Sequence, residues 1–372
     1  MISIDISDRR ELLNKLSDIL TVNEAASLIA KIHEKTTTLS KGKRFGLYPI
    51  EDWGAFERTQ KLQASLWLAS EVEFSSDKND FNDFTKDEQW PLIMAFGFFA
   101  VGDGSIASML AYQMIITASS FENQMFYATQ LFNETIHGET YGKMIYSLIS
   151  DPVKRDEIFN AVEKVNSIKA MNLFIEDAFT YPEGKRQIYV SLAAAEYLMF
   201  TPLFCIIFWY RAYKKGKIPQ IIFSNEQISK DEAAHCVQGT ENYRGLDASE
   251  KYTDEEVHAY IDKVVQLVSN FADEVFAEIK LPELTAENVK QYIRFVADDL
   301  FDRLGHPAYY HDKSPFCWMD FTELIPKTNF YEGTVGQYSR FNVQEAVQTA
   351  YDLCHGKEEK VVVNAYKKPK KF

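Results

Sequence analysis

The chain has 372 residues, of which 46% are hydrophobic and 14% aromatic, enough apolar material for a large core. Its formal net charge of −14 argues against a surface that binds the phosphates of nucleic acid. Four cysteines without a Cys-x-x-Cys pair indicate reduced thiols in an intracellular protein rather than a disulfide framework.

Neither a secretion signal nor a membrane span is predicted. The N-terminus, MISIDISDRRELLNKL, carries charges early and lacks an apolar h-region. The two most apolar runs, PLIMAFGFFAVG and LMFTPLFCIIFWY, are shorter than the roughly 18 residues that cross a bilayer. We therefore expect both runs to be core helices of a cytoplasmic protein that has no membrane partner.

A hydrophobic period near 3.6 residues and sparse glycine and proline predict an all-α protein. One helix should begin at Ser119, since Ser119 and Glu122 match a capping box, and run through Tyr141. It should stop before Asp151 and Pro152, because the residue before a proline disfavours helix.

A second helix is expected over QIYVSLAAAEYLMFTPLFCIIFWYRAYKKGK, ending in basic residues and Gly216. Pro202 lies inside it and predicts a kink or bulge just after Glu196. A third helix should start near Ser224, and amphipathic helices should follow in TDEEVHAYIDKVVQLVSNFADEVFAEI and TAENVKQYIRFVADDLFDRLG. We expect one helical domain over 1–343 and a polar, flexible tail over 344–372.

The motif carboxylate-x-x-His occurs four times, whereas composition alone predicts about one occurrence. The four pairs are Glu134/His137, Glu232/His235, Glu255/His258 and Asp352/His355. The last two lie in charge-rich surroundings and are interpreted as solvated surface. The first two adjoin apolar segments, where a buried charge is costly unless it is paired or bound to metal.

Each of these two pairs follows a helix that carries a lone acid in an apolar run, Asp103 and Glu196 respectively. This order is the ligand pattern of di-iron and di-manganese carboxylate bundles, with Asp103 in place of a glutamate. Carboxylates and imidazoles suit iron or manganese better than a metal that prefers thiolates. For either pair alone, the alternative is a core histidine bonded to the glutamate of its own turn.

Tyr141 lies one helical turn after His137, on the stripe that also carries Glu134. From the spacing alone, two interpretations remain open. The phenol is either redox-active beside the metals or an ordinary buried tyrosine bonded to a ligand carboxylate.

Several stretches occur in the order seen in one known family: LWLASEVEFSSDKNDF, FFAVGDGSIA, NETIHGETY, FSNEQISKDEAAH and PKTNFYEGTVGQY. Through them the chain resembles, over nearly its whole length, the small, radical-generating subunit of class I ribonucleotide reductase. The resemblance implies a ferritin-like bundle with a buried di-metal site. It implies a di-iron-oxo centre with two iron ions per chain, and manganese is the alternative.

The resemblance also implies a role for each metal ligand. One metal would be held by Asp103, Glu134 and His137. The other would be held by Glu196, Glu232 and His235. Glu134 and Glu232 would bridge the two ions.

The resemblance makes Tyr141 the radical site and implies an apolar wall around it, formed by Phe200, Phe204 and Ile228. Trp67 matches a near-surface tryptophan that delivers the electron needed from outside. Asp231 matches the acid that links this tryptophan to the metal bound by His137.

The implied activity is reaction with dioxygen to form the radical, which a separate large subunit uses to reduce ribonucleoside diphosphates or triphosphates. A homodimer is implied as well. Tyr338 is the favoured relay residue in the tail, with Tyr351 and Tyr366 as alternatives. Two rival functions are a di-iron oxidase or oxygenase acting on a lipid or hydrocarbon, and a ferritin-like iron-storage protein.

Overall fold

The computed structural model describes residues 46–180, 182–319 and 343–354. Over these residues the protein is helical, and no strand occurs among them. The all-α prediction is therefore confirmed for the described part of the chain.

The α-helices of the described residues are numbered here in sequence order. They are α1 Trp53–Ala64, α2 Ser75–Asp83, α3 Lys86–Met109, α4 Phe121–Leu148, α5 Pro152–Phe159, α6 Ala161–Lys164, α7 Asn166–Thr180, α8 Lys185–Ala193, α9 Thr201–Tyr213, α10 Pro219–Arg244, α11 Asp254–Phe276, α12 Ala286–Leu304 and α13 Val343–Cys354. Two of the described segments are π-helical. Leu110–Met114 extends α3 into a last short turn, Ile115–Thr117, and Ala194–Met199 joins α8 to α9.

The N-terminus of α4 is capped by Ser120, whose hydroxyl accepts a hydrogen bond from the backbone N–H of Asn123. The sequence prediction placed this cap one residue early, at Ser119. The helix ends at Leu148, before Asp151 and Pro152 as predicted, and Pro152 begins α5. The amphipathic helices predicted farther toward the C-terminus are α11 and α12.

The predicted irregularity in the second helix is the π-helical segment Ala194–Met199. The ring of Pro202 clashes with a carbonyl four residues earlier in a regular helix, so the helix widens before it, and Pro202 then fits the first turn of α9. The prediction placed the bulge just after Glu196, whereas the π segment begins two residues before Glu196 and includes it.

Helix α10 begins at Pro219, five residues before the start predicted near Ser224. The prediction was wrong because the caps come from another helix. Asp80 and Asp77 of α2 accept the backbone N–H groups of Ile218 and Ile221 at 3.0 and 2.8 Å. The caps of α10 therefore come from another helix, and the residue at its own N-cap position, Ile218, makes no side-chain cap.

Helices α3, α4, α10 and the α8–α9 rod surround the centre of the molecule, with α3 against α4 and both α8 and α9 against α10. Two described helical rods, Lys86–Thr117 and Lys185–Tyr213, are long and apolar enough to cross a membrane. Their most apolar windows are 61% and 100% buried within the protein. Both predicted apolar runs lie within these rods and pack in the core, as expected.

Helix α13 packs on α1. The Trp53 and Tyr351 rings lie 5.6 Å apart, and the backbone N–H of Ile50 lies 3.2 Å from the Cys354 sulfur. Ala350 is buried against Ile50 and Phe56. The helix begins at the predicted boundary of the tail, while residues 355–372 lie outside the described part of the chain. The division at 343/344 stays a prediction.

Candidate metal centre

The six predicted ligands come together at the centre of the bundle, each from the helix predicted to carry it. Asp103 lies on α3, Glu134 and His137 on α4, Glu196 on the π segment, and Glu232 and His235 on α10. They form two overlapping groups in which all candidate ligand atoms lie within 4.8 Å of one another. One group is Asp103, Glu134 and His137, and the other is Glu134, Glu196, Glu232 and His235.

Glu134 and Glu232 lie between the two histidines. The Glu134 carboxylate lies 3.4 Å from Nδ1 of His137 and 3.2 Å from Nδ1 of His235. The Glu232 carboxylate lies 3.0 and 3.1 Å from the same two nitrogens. Each of these glutamates therefore reaches both halves of the cluster, which is the geometry that a bridging ligand requires.

All six side chains are buried, with at most 2% of their surface exposed. Both carboxylate oxygens of Asp103 and one oxygen of Glu196 have no hydrogen-bond partner among the described residues. Buried polar atoms are normally paired, and a bound cation satisfies such lone pairs. The donor set of carboxylates and imidazoles fits a pair of iron or manganese ions.

The environment shifts the protonation of the cluster in the metal-free protein. Burial raises the pKa of Asp103 well above its usual range, and the charge of Glu134 adds to the effect. Burial, followed by the charge of Glu196, does the same to the pKa of Glu232. Burial would lower the pKa of His137, but contacts with Asp231 and Glu134 outweigh it and raise the pKa to about 10. Metal binding therefore has protons to displace.

Trp67 and Asp231 connect this cluster to the segment that follows α1. The indole N–H of Trp67 donates to Oδ2 of Asp231 at 2.9 Å, and Nε2 of His137 lies 3.2 Å from the same oxygen. This contact directs Nδ1 of His137 toward the cluster, as outer carboxylates do for metal-bound histidines. Trp67 is 2% exposed and is followed directly by exposed Leu68, so the near-surface position of the indole stays a prediction.

Tyr141 is fully buried, and its hydroxyl donates to Oδ1 of Asn225 at 2.8 Å. The expectation of a bond to a ligand carboxylate is therefore not what the structure shows. Burial raises the pKa of the phenol well above its usual range, and the charge of Asp103 adds to the effect. The phenol is protonated at neutral pH.

An aromatic cluster covers the Tyr141 ring. Phe99 stacks on it with ring centroids 4.7 Å apart and planes 4° from parallel, and Phe96 lies 6.4 Å away. The predicted wall residues Phe200 and Phe204 contact Phe99 at 5.3 and 4.9 Å, so they form a second layer. Ile228, the third predicted residue, is buried on α10 between Asn225 and Glu232.

Comparison with known proteins decides the family. The family model for the ribonucleotide reductase small chain matches residues 44–315. The ribonucleoside-diphosphate reductase small chain of Variola virus is 33% identical over 314 residues, covering 96% of the viral protein and 83% of this chain. A small chain of the same enzyme from Arabidopsis thaliana is 31% identical over 315 residues, covering 91% of the plant protein and 85% of this chain. The protein belongs to the ribonucleotide reductase small-chain family.

Solved structures agree on the fold. The Rnr4 homodimer of Saccharomyces cerevisiae superposes with a TM-score of 0.65 at 22% identity, covering 97% of the yeast protein and 81% of this chain. The dimanganese(II) NrdF of Streptococcus sanguinis gives 0.65 at 17% identity, covering 94% of the bacterial protein and 73% of this chain. The predicted family, its ferritin-like fold and its assignment to ribonucleoside-diphosphate reductase are confirmed.

Three residues at the centre of this small chain were missed by the sequence analysis: Phe99, Asn225 and Gln130, whose side-chain amide donates to Glu196 at 2.5 Å. Helical spacing could have found all three. Phe99 precedes Asp103 by four residues, Gln130 precedes Glu134 by four, and Asn225 precedes Glu232 by seven. Residues four or seven apart share a helix face, so each of them had to point toward the ligands.

The pair Glu255/His258 lies on α11, away from the centre, as predicted. Nε2 of His258 contacts the carbonyl of Pro307 at 3.0 Å, and its ring packs on Phe301 and Tyr309. Neither residue occurs in a potential metal group of the described residues. His355, Tyr338 and Tyr366 lie outside the part of the chain that the structure describes.

Proposed function

We propose that this small chain holds two iron ions in the cluster and forms a stable radical on Tyr141. The single observation that carries the proposal is one continuous buried arrangement of residues. It links the six candidate ligands through His137 and Asp231 to the indole of Trp67, and buried Tyr141 lies one helical turn after His137 on α4. The rival oxygenase or storage functions require no such paired phenol and indole.

Asp103, Glu134 and His137 would hold one ion, and Glu196, Glu232 and His235 the other, with Glu134 and Glu232 bridging. Iron is the proposed metal, with manganese as the alternative that the same donor set allows. When bound, the metal pair supplies the electrons that reduce dioxygen and the oxidising power that removes one electron from a phenol.

The surrounding side chains prepare Tyr141 and Trp67 for these electron transfers. Asp231 holds the indole N–H and the His137 ring on one carboxylate oxygen, which positions Trp67 to deliver the external electron. Phe99, backed by Phe200 and Phe204, excludes water from the Tyr141 ring. A phenoxyl radical survives where water and reductants have no access.

The oxidising equivalent would leave for a separate large subunit that reduces ribonucleoside diphosphates, the substrates named by the curated relatives. Tyr338 is the proposed relay in the tail. A homodimer of this protein is also proposed, because the similar Rnr4 structure is a homodimer. Large exposed apolar side chains, Phe132 and Tyr146 on α4 and Tyr112 on the π-helical segment after α3, would suit such an interface.

Aerobic reconstitution with Fe(II) tests the proposal. We expect about two irons per protomer, bound as a pair, and a phenoxyl EPR signal at low temperature. The same protein mixed with a matching large subunit should reduce ribonucleoside diphosphates. Iron uptake without a radical, or shell-like assembly with many irons per protomer, would favour the storage function instead.

A further inference from the structure

The phenol of Tyr141 is bonded to an amide rather than to a carboxylate. Its O–H donates to Oδ1 of Asn225 at 2.8 Å, and both side chains are fully buried. The carboxylate oxygens of Asp103 have no hydrogen-bond partner among the described residues. The hydroxyl is therefore turned toward α10 and away from the candidate metal ligand on α3.

The orientation of the Asn225 amide follows from its second partner. Nδ2 donates to the backbone carbonyl of Ile221, one turn earlier on α10, at 2.8 Å. A carbonyl can only accept, so the NH₂ group must face Ile221 and the amide oxygen must face Tyr141. Asn225 is thus fixed as an acceptor, and the phenol has to donate.

We propose that Asn225 is the positioning residue of Tyr141 and that it strengthens the radical as an oxidant. This inference rests on the proposed function, in which Tyr141 carries the radical. When bound, the metal pair would accept one electron from Tyr141. A carboxylate of the cluster would accept the phenolic proton once the O–H turns away from Asn225, because an amide oxygen is too weak a base. The phenoxyl oxygen then has no hydrogen to donate, so the bond to Asn225 exists only in the reduced state.

A bond present only in the reduced state stabilises the phenol relative to the radical. The radical is therefore more readily reduced, which makes it a stronger oxidant toward the residues that relay its equivalent. The amide is also neutral, so it accepts the hydrogen bond without adding another carboxylate to those of Asp103, Glu134 and Glu232 around the phenol. Because the bond involves no metal ligand, it should be present before metal binds.

The variant Asn225→Leu tests the inference, since leucine has nearly the same size and accepts no hydrogen bond. The matched control is Asn172→Leu, which removes a buried asparagine of α7 bonded to Ser105 and Glu176, outside the proposed machinery. The measurement is infrared spectroscopy of metal-free protein with isotope-labelled tyrosine. The C–O stretching band of Tyr141 is identified as the band that is lost in Tyr141→Phe. The frequency of this band should shift in Asn225→Leu and stay unchanged in Asn172→Leu.

In the reconstituted protein, the equilibrium between the Tyr141 radical and a one-electron reductant should move toward the radical in Asn225→Leu. Loss of one neutral hydrogen bond corresponds to about a fivefold change in this equilibrium constant. The wild-type radical in D₂O should show no exchangeable deuteron hydrogen-bonded to the phenoxyl oxygen by electron–nuclear double resonance.

Three results would overturn the inference: an unshifted C–O stretch in Asn225→Leu, an unchanged redox equilibrium, or a strongly coupled exchangeable deuteron in wild type. The last result needs no variant, so the inference stays testable if Asn225→Leu fails to fold. Wild-type protein that binds two metals but forms no radical contradicts the proposed function instead. The infrared comparison of metal-free protein would then still decide whether Asn225 holds Tyr141.

Discussion

Trp67 and His137 meet at a single oxygen atom, Oδ2 of Asp231, which lies 2.9 Å from the indole nitrogen and 3.2 Å from the imidazole nitrogen. Their rings also stack at 6.2 Å, with planes 22° apart. The indole just after α1 and a candidate metal ligand on α4 are thereby joined without intervening solvent. This contact supports the proposed role of Trp67 as the entry point for the external electron.

Trp67→Phe should keep the stacking and remove both the N–H donor and the easily oxidised indole. We expect normal metal content and a radical yield per iron pair reduced severalfold after aerobic reconstitution, measured by EPR spin counting. Trp90→Phe is the matched control, since Trp90 donates its N–H to the carbonyl of Val275 on another face of the molecule. Equal radical yields in the two variants would show that Trp67 is not the electron donor.

Glu232→Ala should lose metal at one or both positions, because a buried bridging carboxylate contacting both His137 and His235 has no replacement in the core. Metal analysis after reconstitution and dialysis measures the loss. Glu255→Ala on α11 provides the control and should retain the wild-type metal content. If both variants bound equal amounts of metal, the cluster would not be the metal site.

Phe99→Leu should shorten the lifetime of the radical, since it opens the stacked face of Tyr141 to water and small reductants. The stability cost should be modest, about 1 kcal/mol by urea unfolding. Phe271→Leu, at a buried position on α11, should cost a similar amount and leave the radical lifetime unchanged. A radical that decays at the wild-type rate in Phe99→Leu would mean that other residues protect it.

Tyr338→Phe should abolish turnover with the large subunit while leaving metal content, the Tyr141 radical and large-subunit affinity nearly intact, because phenylalanine keeps the shape and loses the oxidisable O–H. Deleting the residues after Gly356 should instead weaken binding to the large subunit and leave the Tyr141 radical unchanged. Affinity is measured by titration and turnover by deoxynucleotide formation. Full turnover by Tyr338→Phe would transfer the relay role to Tyr351 or Tyr366.

The ligand helices could be predicted from sequence because buried charges in apolar runs are rare and costly, so Asp103 and Glu196 stood out. Features set by partners distant in sequence could not. The capping of α10 by Asp77 and Asp80 from α2 is such a feature, although Pro219 in the first turn was a local sign of the helix start. The hydrogen-bond partner of Tyr141 could not be predicted either. The sequence places Asn225 on the ligand face of α10, but it does not show which hydroxyl donates to its amide oxygen.

EPR of aerobically reconstituted Tyr141→Phe is the decisive test of the proposed radical site. The substitution removes only the hydroxyl that donates to Asn225, so the protein should fold and bind the same number of metals as wild type. We expect no phenoxyl signal in this variant and a full signal in wild type. A wild-type phenoxyl spectrum in Tyr141→Phe, with the reductase activity retained, would contradict this assignment.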